Sequence, residues 1–546
     1  MINELLNSLK TELERISVSL GANDPQVMFE VPKDSSFGDY SSNIAMRLAK
    51  ELRKAPIMIA NEIKEKLDLA KFHLSRVDAV NPGFINFFID RVYLTSVVNQ
   101  INALGDDYGN LNIGEGKKIN IEFVSANPTG YLHVGHGRGA AYGDSLARIL
   151  TKAGYNITKE HYVNDGGNQI NNLALSIYER YKELFGLECN LGDDYYHGVE
   201  IITVAKEIKD LNGNKFLHEE WYDYFRAYGV NYLLNGLKAD LKRFNVEFDV
   251  WFSEKSLYDT GKVQATIDAL IEGGHTYMQD GALWLKTTDE GDEKDRVLIK
   301  SDKTLTYLTP DIAYHSNKLS RGYDMIIDVF GADHHGYIER LKAAIKYMGF
   351  DKEKLVVEIL QMVRVLQNGE EVKMSKRSGK AITLRDMIDD AGTDALRYMY
   401  SSKALSTHMD LDLDLMVKQS NENPVYYVQY AYARICSLFR KLEENGCKFS
   451  EKCEFSHIDL TKTEKIVLDL IQYPMVISEA AINRYPHKIT AYVYNLASDI
   501  HSFYNDNKII VEDLDRTCEI LTILKAASIV LKNALSLIGV GIKEKM

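Results

Sequence analysis

"INIEFVSANPTGYLHVGHGRGAAYGDSLARIL", Ile119 to Leu150, changes character twice. INIEFV is an apolar-rich strand. SANPTG is a loop, punctuated by proline and glycine. A helix follows from about Val134 to Ala153, and GYNITKEHYVND then alternates like a second strand. Strand, helix and strand in that order build a parallel sheet. The pattern returns downstream. DMIIDVFG is a buried-strand run, HGYIERLKAAIKYMG a helix with a glycine stop, and KLVVEILQMVRVL one further strand. Helical stretches and short hairpins lie between the halves, at about 170–300. A long insertion therefore splits one nucleotide-type fold.

Working outward, residues 1–112 begin with helices. NELLNSLKTELERI has helical spacing, and SSNIAMRLAKELRKAPIMIANEIKEKL reads as two helices broken near Pro56. SRVDAVNPGFINFFID reads as strands around an Asn-Pro-Gly turn, and NALGDDYGNLNIGEGKK as a linker. From about Met409 the pattern is helical to the end. The expected fold class is α/β: an α+β N-terminal domain at 1–112, a Rossmann-type parallel-sheet domain at 113–405, and an all-α bundle at 406–546.

A chain of 546 residues exceeds one ordinary core, and 45% hydrophobic with 26% charged residues is a soluble globular composition. No uninterrupted apolar run reaches the roughly 18 residues of a membrane span. The N-terminus, MINELLNSLKTELERISVSL, lacks the basic start and cleavage site of a signal peptide, so a cytoplasmic protein is expected. Cys189, Cys436, Cys447, Cys453 and Cys518 fit no zinc spacing and read as reduced thiols. A net charge of −13 speaks against nucleic acid as a partner only globally, because one basic face suffices.

Three readings compete for His133 and His136. A metal site would need a third ligand, for which His334 and His335 are candidates, but proline and glycine suit a loop better than a metal helix. Capping or packing is the ordinary alternative. The phosphate reading accounts for more residues. Gly130, Gly135, Gly137 and Gly139 let a ligand approach the backbone, and the helix start offers free N–H groups. Imidazoles there can donate to phosphoryl oxygens as charge develops. The spacing excludes the GxxxxGK[ST] phosphate loop. A second stretch, GEEVKMSKRSGK, sets Lys373, Lys376, Arg377 and Lys380 behind the late strand, where ligands of parallel sheets bind. It is either an exposed basic turn or a mobile clamp for polyphosphate.

HVGH resembles the HIGH motif of class I aminoacyl-tRNA synthetases, and KMSKR resembles their KMSKS motif. The longer stretches EFVSANPTGYLHVGHGRGAAYGDSLARIL, YVNDGGNQI, YLTPDIAYH, GADHHGYIERLKAA and DALRYMY resemble the bacterial-type arginyl-tRNA synthetases, as do FGDYSSNIAMRLAK and NPGFINFFI. The resemblance covers essentially the whole chain. It implies that ATP, with Mg2+, and arginine form arginyl-adenylate, and that arginine then passes to the terminal ribose of tRNA(Arg), with tRNA needed even for activation. It further implies that His133, Gly135 and His136, with Gly130, hold ATP, and that Lys373, Met374, Ser375 and Lys376 belong to the same nucleotide site. His133, His136, Lys373 and Lys376 would be catalytic. Arg377 stands where the family more often has serine. No metal site in the protein itself is expected, and the family is mostly monomeric.

The arginine pocket can be argued physically. A guanidinium is a planar, permanently charged fork, so carboxylates suit it. Within the matching motifs Glu122, Asp311 and Tyr307 are the candidates, with Ser125 and Asn127 for the α-amino and carboxyl groups, and the resemblance adds His133 to the arginine-binding set. Each carboxylate has an ordinary alternative: Glu122 as a satisfied strand-end residue, Asp311 as a helix cap after Pro310. The N-terminal domain resembles the family's module for the tRNA elbow, and the C-terminal helices its anticodon-binding bundle. The tyrosines of PVYYVQYAYAR (Tyr426, Tyr427, Tyr430, Tyr432) are either core or, beside Arg434, a stacking surface for an unpaired base. A cysteine-specific relative would want a zinc site and a glutamate-specific one basic pocket residues. A regulator on a dead scaffold would have lost the histidines or lysines, and a tRNA-independent nucleotidyltransferase would not need the flanking domains.

Overall fold

The opening stretch forms the strand Lys118–Glu122, with Ile119 to Glu122 buried, and the helix Val134–Lys152. The computed structural model describes residues 2–32, 34–192, 194–372, 374, 382–444, 453–458 and 463–546, and only the backbone of residues 2, 3, 35 and 333–335. Five parallel strands form the central sheet, in the spatial order Leu355–Leu360, Met325–Gly331, Lys118–Glu122, Asn156–Val163, Val250–Ser253. The first strand in sequence is thus the middle one. The chain winds to one side of it through Val250–Ser253, then crosses to the other at Met325–Gly331. That reversal leaves a crevice beyond the carboxyl ends of Lys118–Glu122 and Met325–Gly331, where open α/β sheets bind ligands.

Two helices sandwich this centre. Val134–Lys152 packs so closely on one face that a Cβ on Gly143 would run into the Phe123 ring. The other face carries Leu308–Ser320, and there the register sets a problem. Glu122 is the cross-strand partner of both Glu160 and Asp328. Like charges opposite one another are unfavourable, and all three are buried. The helix and the residue after it answer with the cations His315, Lys318 and Arg321.

Three sequence expectations need correction. Val250–Ser253 belongs to the central sheet although it lies inside the expected insertion at 170–300. The insertion is therefore two pieces: the helices Asn168–Glu183, Val199–Asn212 and Tyr222–Arg243, and a later part with the antiparallel sheet Thr276–Gln279, Ala282–Leu285, Arg296–Ile299. KLVVEILQMVRVL is two strands, because the chain leaves the parallel sheet after Leu360 and enters a small sheet at Val363–Gln367. The helical reading from Met409 fails at its start, since Met409–Asp412 pairs with Val363–Leu366 in that small sheet.

The N-terminal residues fold as expected, with helices Ile44–Leu52 and Pro56–Lys66 breaking at Pro56 and strands Leu74–Val80 and Phe84–Ile89 meeting at the Asn-Pro-Gly turn. Helices Pro424–Glu444, Glu464–Asn483, His487–Asp506 and Leu514–Leu537 form the C-terminal bundle. Glu464–Asn483 and Leu514–Leu537 have the length and hydropathy of membrane spans, but 50% and 78% of those windows are buried in the bundle. Among the described residues Cys189, Cys436, Cys453 and Cys518 form no disulfide, and Cys447 lies outside the described residues.

A buried charge cluster joins the bundle to the sheet. Asp144, on the motif helix, pairs with Arg397 (2.8 Å), Arg148 (2.7 Å) and Lys159 (3.1 Å). Arg397 is itself fully buried and also donates to the carbonyl of Ile538, 2.8 Å away, near the C-terminus.

Candidate active site

His133 is the N-cap of Val134–Lys152. Its Nδ1 accepts the Gly135 N–H at 3.0 Å, while His136 Nδ1 accepts the His133 N–H at 3.2 Å. The two rings stack with centroids 3.6 Å apart. Because a backbone N–H can only donate, each Nδ1 must be bare, and a neutral ring then carries its proton on Nε2. Burial lowers the His133 pKa. Burial, with His133 beside it, lowers that of His136 to about 3. Both imidazoles are therefore neutral near pH 7, each with an Nε2–H free to donate. The capping reading is realised in the structure, and it sets the tautomer that the phosphate reading needs.

The glycines divide. Gly130 and Gly135 lie partly open, with the Glu200 carboxylate of the insertion 3.3 Å from where a Gly130 Cβ would stand. Gly137 and Gly139 are buried. A Cβ on Gly137 would come within 2.9 Å of Leu384 and Tyr400, and Gly139 faces Leu360. Close ligand approach, expected for all four, is corrected for these two: they serve helix packing.

Beyond the strand ends lies a cavity of about 430 Å3. Glu122, Ser125, Tyr307 and Asp311 line it, together with Tyr162, Glu254, Tyr314, His315 and Tyr337. Four of the expected arginine contacts thus meet in one hollow at the reversal point. Asn127 and His133 do not line it; Asn127 donates to Gln169 at 2.6 Å. The loop that shapes it is strained, with Val124 at φ +68° and Ser125 at φ +40°. A β-branched residue in the left-handed region is held there only by its surroundings.

Behind the cavity sits the cation set. Lys318, fully buried, donates to Glu122 and to Asp328, both at 2.6 Å. His315 Nε2 lies 2.7 Å from Asp328, and its Nδ1 is 3.4 Å from the Asp311 carboxylate. Arg321 pairs with Glu160 at 2.8 Å, and Tyr314 donates to Glu160 at 2.9 Å. Burial and Lys318 press the His315 pKa down, but Asp311 and Asp328 raise it to about 10, so the ring is an imidazolium. Burial would raise Asp328, yet Lys318 and His315 hold it at about 2. Burial raises Glu122 in spite of Lys318. Glu122, His315 and Asp328 have the spacing of a metal site, but the Lys318 ammonium supplies the positive charge between the two carboxylates.

Asp311 stands in the first turn of Leu308–Ser320, where Tyr307 is the cap position; the cap reading for Asp311 is replaced by a bond from the Tyr337 hydroxyl. Glu122 satisfies its strand-end reading, taking Lys318 on one oxygen and Ser125 Oγ, 2.8 Å away, on the other, and it still borders the cavity. Sequence reasoning missed Glu254, which is 6% exposed on the cavity wall and whose carboxyl burial raises. It follows the short strand Val250–Ser253 that the sequence reading also missed. Lys373, Ser375, Lys376, Arg377 and Lys380 lie outside the described residues, as do the side chains of His334 and His335; Met374 is 60% exposed.

A split parallel sheet, a cavity at its reversal point and a histidine-capped helix beside it characterise a class I synthetase catalytic domain. The family described as "tRNA synthetases class I (R), catalytic domain" matches residues 98–412. The "Arginyl tRNA synthetase N terminal domain" matches residues 3–89, and the "DALR anticodon binding domain" residues 428–546. The chain is 50% identical to the arginine–tRNA ligase of Bacillus velezensis and 50% to that of Bacillus subtilis, each over 100% of this chain and 99% of the relative. It shares its fold with the arginyl-tRNA synthetase of Thermus thermophilus, at a TM-score of 0.78 and 20% identity over 99% of this chain and 100% of the other. The chain belongs to the arginyl-tRNA synthetase family.

Proposed function

We propose that this protein is an arginine–tRNA ligase whose amino-acid site is the carboxylate-lined cavity at the reversal point of the sheet. That cavity carries the reading. Glu122 and Asp328 face Lys318, and Asp328 also faces His315. Asp311, beside His315, and Glu254 line the cavity as the carboxylates suited to a guanidinium fork, with Tyr307 at the rim. Lysine, lacking the fork, would leave a buried acceptor unpaired. Ser125 on the cavity wall, with Asn127 from outside the lining, takes the α-amino and carboxyl groups.

In this reading Gly130, His133, Gly135 and His136 hold ATP with Lys373, Met374, Ser375 and Lys376. A carboxylate oxygen of arginine attacks the α-phosphorus and pyrophosphate leaves. The two Nε2–H groups donate to phosphoryl oxygens as charge builds, and the lysines receive the pyrophosphate. A ribose hydroxyl of tRNA(Arg) then attacks the arginyl carbonyl and AMP departs. Mg2+ accompanies the triphosphate, since it binds largely through substrate phosphates and the nearest buried carboxylates already face Lys318. Residues 1–112 meet the tRNA elbow, 113–405 carry the chemistry, and the helical part from 406, after the strand Met409–Asp412, meets the anticodon. The enzyme acts as a cytoplasmic monomer.

Arginine-dependent ATP–pyrophosphate exchange, run with and without tRNA, tests the assignment. Absence of exchange with arginine and cognate tRNA both present would overturn it. Asp311→Asn should raise KM for arginine about a hundredfold while KM for ATP holds.

A further inference from the structure

The segment that opens the helix Leu384–Ala391 lies directly against the chain entering HVGH. The Leu384 N–H donates to the Leu132 carbonyl at 2.7 Å, and Thr383 pairs with His133 as an isolated antiparallel bridge. Thr383 also caps the helix Leu384–Ala391 through its hydroxyl and Asp386. In the first turn of that helix, Arg385 reaches in two directions. Its Nε and Nη2 donate to the two oxygens of Asp240 at 2.9 and 3.1 Å. Its guanidinium carbon lies 4.6 Å from the centroid of the Tyr131 ring. Tyr131 precedes His133 by two residues, and Asp240 sits on the insertion helix Tyr222–Arg243 with 2% exposure.

One planar group on the helix Leu384–Ala391 therefore joins two further segments: the approach to HVGH and the insertion. Arginine can present a two-pronged fork and a stacking face together, whereas lysine offers only a point charge. The backbone bridge alone is a short contact with little to hold its register. A buried Asp240 also needs a cation, because an unpaired carboxylate there is strongly unfavourable.

We propose that Arg385 is a positioning residue for amino-acid activation: it holds the chain entering HVGH in place and ties it to the insertion helix. The proposal rests on the reading that HVGH holds ATP. Displacing the histidine-capped helix start weakens its hold on ATP without any contact from Arg385 to the nucleotide, so the brace is read in the KM for ATP.

Steady-state exchange on the full-length protein, with tRNA, gives the test. Arg385→Gln should raise KM for ATP about tenfold while KM for arginine moves less than about twofold. Arg385→Lys should fall between, because it keeps the charge and loses the fork and the stack. Adding Asp240→Asn to Arg385→Gln should cost nothing further, as both act through one contact. A parallel rise in both KM values, or a rise in neither, overturns the proposal. Should Arg385→Gln fail to fold, Arg385→Lys and Asp240→Asn alone carry the same split and the same overturning outcome. His136→Asn separates the proposal from the reading beneath it. If that variant exchanges like wild type, both fall; if it is slow while the Arg385 variants match wild type, only the brace falls.

Discussion

Lys318 illustrates what a residue can hide. In sequence it is one more charge on a helix, and nothing in its spacing marks it as buried. In the fold it stands between Glu122 and Asp328, which the strand register sets against each other. Lys318→Met should destabilise the protein by about 3–5 kcal/mol at neutral pH in denaturant unfolding, since it strands buried carboxylates. His315 makes a pH prediction. Its pKa rises from an ordinary value of about 6.5 when unfolded to about 10 when folded. The stability it contributes is fully present below about 6.5 and is lost as pH rises through about 10. Chemical denaturation should show stability declining across that window, and His315→Asn should flatten the decline. Glu122, Ser125, Tyr307 and Asp311 were legible because they lie in stretches with a strong family resemblance. Lys318, Asp328 and Glu254 were not, because only the packed sheet brings them to the cavity.

At the scale of elements, the long periodic helices and the strands of the opening motif were readable, and the short or interrupted pieces were not. Val250–Ser253 has too few residues to show a period. The break between Leu355–Leu360 and Val363–Gln367 contains no proline or glycine, so nothing in the sequence announces a change of sheet. The motif helix offers a paired test. Gly143→Ala would drive a methyl group into Phe123 and should cost about 1–3 kcal/mol. Gly139→Ala meets only Leu360, at 3.6 Å, and should be neutral or stabilising by up to about 1 kcal/mol from helix propensity. Thermal unfolding of the two variants checks both.

Over the whole molecule, the tyrosine stripe of the bundle divides its labour. Tyr426 and Tyr430 stack partly exposed, 6.0 Å apart, and Arg434 lies 4.9 Å from the Tyr430 ring and 4.5 Å from that of Tyr504. Such a half-open aromatic and cationic surface suits an unpaired base. Tyr430→Ala should raise KM for tRNA by the equivalent of about 1–3 kcal/mol, leaving KM for ATP and arginine unchanged in aminoacylation assays. The three parts also interlock. Asn102 of the N-terminal part donates to the Thr522 carbonyl, and Tyr108 to that of Leu470, at 3.0 and 2.8 Å. The fully buried Arg397, which neutralises Asp144 on the catalytic helix, completes its hydrogen bonds on Ile538. Arg397 and Ile538 stand 141 positions apart in the chain, so the charge on Asp144 is fully compensated only after a long loop has closed. Ile538 caps the last helix of the bundle, so local unfolding of that helix would be felt inside the catalytic domain.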